Sequence, residues 1–294
     1  MKIMTERLSG GDRIFVAIMY IITGFLALLC LYPMIHVLFA SISDPLWLMV
    51  HSGVLLQPQG ISFQGYSIVF ANRNIYTGYY NTLYYVIIGT FVNMVLSSLG
   101  AYALSRPNYM FKRSITIGIV FTMYFSGGLI PNFLLVQALG IYNTRMAIVL
   151  PGAIATWNLI VMKTSFQHIP SSLEESARID GANDWIILFR IFLPVAKATI
   201  AVMTLFYAVG HWNSWFGAMI YLQDRGKYPL SLFLREILIA HSVSGNVNPD
   251  ANVFFLDELI KYATIIISTV PILVAYPFAQ RYFMTGVMLG SLKE

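Results

Sequence analysis

Charged side chains are scarce in this sequence of 294 residues. Asp, Glu, Lys and Arg make up 11% of it, hydrophobic residues make up 57%, and the mean hydropathy is +0.69. Soluble domains carry about 25% charged residues, so this composition excludes an ordinary soluble protein. From residue 14 to residue 43 the chain has no charged side chain at all. Because a membrane-spanning helix needs about 20 apolar residues, the sequence predicts an all-α membrane protein.

Residues that carry chemistry are also few. The single cysteine, Cys30, excludes an internal disulfide framework. The five histidines show none of the spacings of metal ligands, and no Gly-x-x-x-x-Gly-Lys-Ser/Thr phosphate-binding loop occurs. No nucleophile is placed beside a base. We therefore expect no catalytic residue, no metal site and no cofactor bound by this chain, and an integral-membrane enzyme lacks a candidate active site.

Six apolar stretches predict six transmembrane helices in a single domain that covers residues 1–294. The stretches are residues 14–43, 79–104, 114–143, 146–162, 199–221 and 262–280. The first is longer than the core of a cleaved signal peptide, about 7–15 residues, and we expect it to remain as a span. Gly127, Gly128 and Pro131 interrupt the third stretch. Such a break is tolerated only where protein or a cavity surrounds the freed backbone. Short helices are also expected at residues 65–70 and 230–239.

The distribution of Lys and Arg predicts the orientation. Cytoplasmic loops of membrane proteins are enriched in these residues. Twelve lie in one set of alternating segments: Lys2, Arg7, Arg13, Arg106, Lys112, Arg113, Lys163, Arg178, Arg190, Lys197, Arg281 and Lys293. Six lie in the other set: Arg73, Arg145, Arg225, Lys227, Arg235 and Lys261. Both termini are therefore expected in the cytoplasm, and the formal charge of +5 indicates membrane orientation and no nucleic-acid partner.

A charge-rich island, Ser171–Pro194, separates the fourth and fifth spans on the predicted cytoplasmic side. Ser171 stands three residues before Glu174, the spacing of a capping box at a helix N-terminus. Gly181 is expected to end this helix, since glycine adopts the left-handed turn without steric cost. A second helix is expected from about Asn183, and Pro194 to stop it. The island is thus predicted to be a helix–turn–helix.

The second helix of the island has an apolar face. Trp185, Leu188, Phe189 and Phe192 recur at spacings of three and four. We expect the face of Trp185 and Phe189 to pack against the spans of the chain itself. The alternative is a plain connector at the membrane surface, with this face resting on lipid.

The spacing within the island carries a family resemblance. Residues 175–177 read Glu-Ser-Ala, three residues separate them from Gly181, nine more lead to Ile191, and Leu193-Pro194 follow. This resembles the EAA signature of permease subunits of binding-protein-dependent ABC importers, with serine in place of the first alanine. The Asp-Gly-Ala at residues 180–182 and the six-span layout resemble the carbohydrate-uptake branch, the relatives of the maltose permease. The chain is also similar throughout to permeases for oligosaccharides and polysaccharides, including the alginate importer.

The resemblance implies a type I ABC importer permease fold with a cytoplasmic coupling helix, inside an EAA coupling loop at residues 165–197. It implies that six residues take part in ATPase coupling: Glu174, Glu175, Ala177, Asp180, Gly181 and Ala182. The implied partners are a second homologous permease, two ATP-binding subunits that hold ATP and Mg, an extracytoplasmic solute-binding protein and a glycan. The implied location is the bacterial cell (inner) membrane. ATPase closure would then drive alternating access.

The substrate path is sought among aromatic rings, which pack on the apolar faces of sugars, and amides, which bond hydroxyl groups. The fifth span offers Tyr207, His211, Trp212, Asn213 and Trp215. Weaker candidates elsewhere are Tyr124, Asn132, Trp157 and Asn158. The alternative for each is structural, because Trp and Tyr favour membrane interfaces and polar side chains bond helices together.

Two rival functions stay open from sequence alone. An ABC permease for a non-sugar solute would share every feature of the coupling loop. A secondary transporter or channel would need ionisable residues within the membrane or inverted repeats, and we find neither.

Overall fold

The computed structural model describes residues 10–50, 53–107, 110–244, 259–274 and 276–277. All regular elements in these ranges are helical, as predicted. The described residues divide into two compact units, one within Met1–Ala71 and Leu238–Ile267 and the other within Asn72–Ile237 and Ser268–Glu294. The end of the sixth predicted span, residues 278–280, lies outside the described residues.

The first unit contains the more apolar of the two described helices that are long and apolar enough to cross a membrane. Helix α1 (Gly10–Ile42) has a mean hydropathy of 2.7 in its most apolar window, none of which is buried. Such a helix satisfies its own backbone groups and can face lipid on every side. Helices α2 (Pro45–Val50) and α3 (Gln64–Ala71) follow. Helix α3 confirms the short helix predicted there, whereas α2 has no counterpart in the sequence analysis.

Helix α4 (Arg73–Ser105) is the other unbroken helix of the described chain that is long and apolar enough to cross a membrane. It begins before the predicted residue 79, and a π turn at Tyr85–Gly89 interrupts its α-helical hydrogen bonding. The π turn places Gly89 against another helix. A Cβ at Gly89 would lie 2.5 Å from the imidazole Nε2 of His211, so this approach requires glycine.

The third predicted span is broken, as its glycines suggested. Helices α5 (Lys112–Tyr124) and α6 (Leu129–Ala138) meet at an angle of 117°. The break lies at residues 125–128, and Pro131 lies inside α6, where a proline in the first turn leaves no bond unmade.

The fourth predicted span is not the continuous helix 146–162. Helix α7 (Met146–Val149) ends early, residues 150–155 are not helical, and α8 (Thr156–Gln167) follows. The side chain of Asn93 explains how the break is tolerated, because its amide donates to the carbonyls of Gly152 and Ala153 at 2.9 and 2.8 Å. The amide of Ala155 donates to the hydroxyl of Tyr207 at 3.0 Å. Backbone groups that the helix leaves unpaired are thus bonded by neighbouring helices.

The remaining helices complete the second half of the chain. The charge-rich island forms α9 (Ser171–Ile179) and α10 (Asp184–Val195). The fifth span consists of α11 (Lys197–Trp212) and α12 (Phe216–Tyr221), and residues 213–215 between them are not helical. Helix α13 (Leu230–Ser244) confirms and extends the helix predicted at 230–239. The last described helix, α14 (Leu259–Val274), lies in the sixth predicted span. By length and hydropathy, two described helices, or four if each bent pair is one span, could cross a membrane, so the six-span count stays a prediction.

The main hydrophobic core of the second unit joins the C-terminal half of α4 to α8, α10 and α11. Its members are Ala101, Tyr102, Leu104, Leu159, Met162, Phe166, Ile187, Leu188, Phe192, Ala196 and Met203. The island is therefore packed into the same core as the spans that flank it.

Asn93 offers a test of how the break in the fourth span is held. Its side chain is fully buried and makes three hydrogen bonds, the third with His211 Nε2 at 2.6 Å. Interhelical bonds in membranes contribute roughly 0.6 kcal/mol each, and buried carbonyls left unpaired cost more. We expect Asn93→Leu to lower the free energy of unfolding by about 2 kcal/mol or more, measured as a lower melting midpoint in detergent.

The matched control is Asn213→Leu, because the exposed Asn213 amide, directly after α11, bonds only the carbonyl of Val209 in that helix among the described residues, at 3.0 Å. An equal fall in melting midpoint for the two variants would contradict the assigned role of Asn93.

Candidate functional site

The turn that ends α9 has the geometry predicted for it. Gly181 has φ +81°, in the left-handed region where a Cβ is disfavoured. Its N–H donates to the carbonyl of Arg178 at 3.0 Å, and the N–H of Ala182 donates to the carbonyl of Ala177 at 2.9 Å. This pair of bonds is a Schellman motif, and it fixes the direction in which the chain leaves the helix.

The capping box predicted at the start of α9 is wrong. The helix begins after Pro170 without a side-chain cap. The Glu174 carboxylate instead forms ion pairs with Arg106 and with Arg178, the latter at 2.9 Å. Charge-assisted bonds to guanidinium groups are stronger than a bond to a neutral backbone N–H, so the ion pairs prevail. The Ser171–Glu174 spacing could not reveal this, because Arg106 is distant in sequence.

Helix α10 begins as predicted and ends later than predicted. The Asn183 side chain accepts a hydrogen bond from the Ile186 N–H at 2.9 Å, which caps the helix. The helix runs through a π turn at Leu188–Phe192 and past Pro194, and ends at Val195 with a bend of 86° into α11. The prediction that Pro194 stops the helix is wrong. A π turn widens the hydrogen-bond register just before the proline, which accommodates its missing N–H.

The predicted apolar face of α10 is confirmed at Leu188 and Phe192 and wrong at Trp185 and Phe189. Ile187, Leu188 and Phe192 are the residues buried in the core, at 0–2% exposure. Trp185 and Phe189 are 60% and 55% exposed, and their rings stack on each other at 6.3 Å. They do not pack against the spans in the described part of the chain. The π turn is the reason. Its i→i+5 hydrogen bonds make the turn wider than an α-helical turn, which brings residues 187 and 192 onto one face.

The six predicted coupling residues divide into an exposed and an inward-facing group. Glu175, Asp180 and Gly181 are exposed. Ala177 and Ala182 are partly buried against the core, and the Glu174 side chain is only 14% exposed. Among the described residues, no ion pair engages the Glu175 carboxylate.

Sequence reasoning missed Ile179 at this surface. It is 87% exposed, and it follows Glu175 by four residues, so the two side chains share one face of α9. A large apolar residue at the end of a mostly polar helix was the available signal. Together with Glu175 it gives the exposed face one charged and one apolar contact.

Sequence reasoning also missed Arg106, which directly follows α4. Its guanidinium pairs with Glu174 and lies over the rings of Phe192 and Tyr102, at 4.3 and 5.0 Å from the ring centroids. Burial lowers the pKa of the Arg106 guanidinium, yet an arginine stays charged at neutral pH because its ordinary pKa exceeds 12. A cavity of about 600 Å³ lies beside it and α9.

Two of the substrate-path candidates in α11 serve as bonds between helices. The Tyr207 hydroxyl is hydrogen-bonded with Ser97 Oγ at 2.7 Å and with the Ala155 N–H. His211 bonds with Asn93. These contacts support the structural alternative for both residues.

The other path candidates have different contacts and burial. The ring of Trp212 contacts Tyr79, that of Trp157 contacts Phe206, and that of Trp215 lies under the Arg235 guanidinium. Asn158 is buried, whereas Tyr124, Asn132 and Asn213 are exposed. Their part in a substrate path stays a prediction. In the described ranges, no three His, Cys, Asp or Glu side chains come together as metal ligands would.

The chain matches known transport proteins over nearly its whole length. Residues 75–288 match the family model of the binding-protein-dependent transport system inner membrane component. This chain belongs to that family. It is 41% identical to the polygalacturonan/rhamnogalacturonan transport system permease protein YtcP of Bacillus subtilis, over 96% of this chain and 99% of that protein. Protein LplC of the same organism is 33% identical over 99% of each chain.

Solved structures agree with this assignment. A chain of a bacterial ABC transporter involved in the import of the acidic polysaccharide alginate is similar with a TM-score of 0.85 and 36% identity, over 95% of this chain and 100% of that one. A chain of the alginate transporter in complex with its alginate pentasaccharide-bound periplasmic protein has a TM-score of 0.56 at 17% identity, which shows a shared fold only. The protein is therefore a permease of an ABC importer with the type I fold, in a family of inner-membrane components that depend on a binding protein.

The turn at Gly181 offers a test of the coupling loop. Proline cannot adopt φ +81° and has no N–H to donate to Arg178. We expect Gly181→Pro to insert into the membrane normally and to abolish transport, measured as substrate uptake by cells with equal amounts of membrane-inserted protein. Gly181→Ala keeps the N–H and adds only left-handed strain of about 1–2 kcal/mol, so we expect it to keep part of the transport. Normal uptake by Gly181→Pro would exclude a coupling role for the turn.

Proposed function

We propose that this permease carries an oligosaccharide or polysaccharide into the cytoplasm, with uronate-containing glycans as the first class to test. The supporting observation is near full-length similarity to a permease named for polygalacturonan and rhamnogalacturonan and to a chain of the importer of the acidic polysaccharide alginate. The resemblance to the carbohydrate-uptake branch at residues 180–182 supports the same class. An importer of a non-sugar solute is the alternative that substrate tests decide.

The energy for transport comes from other subunits in this proposal. The chain pairs with a second, homologous permease, and two ATP-binding subunits hold ATP and Mg. An extracytoplasmic solute-binding protein delivers the glycan. The permease itself performs no covalent chemistry and binds no cofactor. Its termini and the α9–α10 loop lie in the cytoplasm, which the excess of Lys and Arg in the same segments supports.

The exposed face of α9 is the part of the loop that we assign to the ATPase contact. An amphipathic helix binds a partner by laying one face in a groove. Glu175 offers a basic group of the ATPase a carboxylate that forms no ion pair within the described residues, and Ile179 offers an apolar side chain to the groove floor. Ala177 and Ala182 lie on the opposite side, against the core of this chain. When the ATPases close on ATP, they push α9, and the transport cavity changes from inward-open to outward-open.

Reconstitution tests the substrate and the energy source together. We expect vesicles that contain both permeases and the ATP-binding subunits to hydrolyse ATP faster when the binding protein is loaded with oligogalacturonate or oligoalginate. A neutral oligosaccharide of the same length is the control ligand, and uptake of labelled glycan is measured in the same vesicles. Stimulation by an amino acid or a peptide, with none by any glycan, would favour the non-sugar importer.

The orientation is tested with single cysteines. Cys30 is exposed and is first replaced in a Cys30→Ser background. Ser172 lies in the coupling loop and Gln223 lies between α12 and α13, and both are exposed. We expect a membrane-impermeant thiol reagent to label Gln223→Cys in intact spheroplasts and Ser172→Cys only after lysis. The reverse pattern would place the coupling loop outside and contradict the proposed ATPase contact.

A further inference from the structure

Helix α9 has little apolar attachment to the membrane body of its own chain. None of its residues is buried, and its two large apolar side chains, Leu173 and Ile179, are 44% and 87% exposed. Only Ala177 within the helix packs partly against the core. The cavity of about 600 Å³ separates part of α9 from the end of α8 and from the segment that follows α4. A push on α9 therefore has few apolar contacts through which to act.

Arg106 bridges this gap by contacting three elements at once. It stands at the end of α4, pairs with Glu174 of α9, and stacks on Phe192 of α10. The side chains of Arg106 and Glu174 are only 18% and 14% exposed, so the pair is largely shielded from water. Removing one member of such a pair leaves the other charge uncompensated. The contact is thus more costly to disrupt from one side, and less screened, than a solvent-exposed ion pair.

The pair belongs to a closed ring of polar contacts. Glu174 Oε1 also accepts from Arg178 Nη2 at 2.9 Å, and Arg178 Nη2 donates to Asp184 Oδ1 at 2.6 Å. The Tyr102 hydroxyl donates to the same Asp184 oxygen at 3.2 Å. Because Tyr102 and Arg106 are four residues apart at the end of α4, the ring returns to the helix where it began. The ring fixes α9 and the start of α10 to the last turn of α4.

We propose that Arg106 is a positioning residue that transmits the displacement of α9 to α4 through its ion pair with Glu174. The proposal rests on the proposed function, in which an ATPase pushes α9. Apolar contacts are non-directional, whereas a planar guanidinium bound to a carboxylate fixes both distance and orientation. Glu174 therefore acts within the chain, and the ATPase contact is left to Glu175 and Ile179.

A double-mutant cycle on transport coupling tests this role. Arg106→Gln, Glu174→Gln and the double variant are reconstituted with the partner subunits, and the ratio of glycan imported to ATP hydrolysed is measured. We expect each single variant to lower the ratio about tenfold, and the double variant to lower it by about the same factor, because the two residues act as one unit. Arg225 and Glu236 form a matched control pair at 2.6 Å that is largely exposed. Their glutamine variants should leave the ratio unchanged.

The ratio separates coupling from folding. Both rates come from the same vesicles, so a misfolded fraction lowers both rates equally and leaves their ratio unchanged. Unchanged ratios in both single variants would overturn the proposal, and so would a double variant whose loss is the product of the two single losses. A wild-type complex in which no loaded binding protein stimulates hydrolysis would instead refute the proposed function, and the inference about Arg106 would fall with it.

Discussion

The requirement that backbone groups inside a bilayer find hydrogen-bond partners governs this structure. Several spans are interrupted, and each interruption frees carbonyls and N–H groups where water is absent. Helix α4 carries this response at the break between α7 and α8, and its other polar side chains fix segments outside the spans. Asn81 bonds the carbonyls of Gly226 and Tyr228 near one end, Asn93 bonds the break between α7 and α8 in the middle, and Tyr102 bonds Asp184 near the other end. An otherwise apolar helix thus becomes the element to which the irregular segments are fixed.

The same helix, α4, also connects the coupling loop to the rest of the second unit. The polar ring around Glu174 attaches α9 to the last turn of α4, and the same helix holds the break in the fourth span through Asn93. A helix that satisfies its own backbone bonds is stiff along its axis, so in the proposed mechanism a displacement at Arg106 would be carried along α4 towards Asn93. The packed core shared by α4, α8, α10 and α11 moves with it, because close-packed interiors transmit strain.

Sequence patterns predicted the features that depend on local chemistry. Gly181 tolerates the left-handed backbone conformation that ends α9, and the Asn183 side chain caps the start of α10. Both predictions are confirmed. The π turns at Tyr85–Gly89 and Leu188–Phe192 carried no such signal, because no residue type demands the wider register. The second of them adds Ile187 to the buried face of α10 and leaves Trp185 and Phe189 exposed, while Leu188 and Phe192 are buried as predicted. The capping box failed for a different reason: its glutamate met a charged partner 68 positions away in sequence.

An ionic attachment suits α9 better than an apolar one for a physical reason. A helix that must bind another protein on one face cannot bury a broad apolar stripe on the other without becoming a fixed part of the membrane body. The small residue Ala177 lets α9 approach the core without locking into it, and Ala182 has the same effect in the turn that follows. An ion pair fixes the orientation of the contacting side chains but adds little net stability, because desolvation offsets much of the attraction between the charges. In the proposed mechanism, α9 can therefore move as a rigid unit while its ion pair keeps its position relative to α4. Transmission of a push requires both.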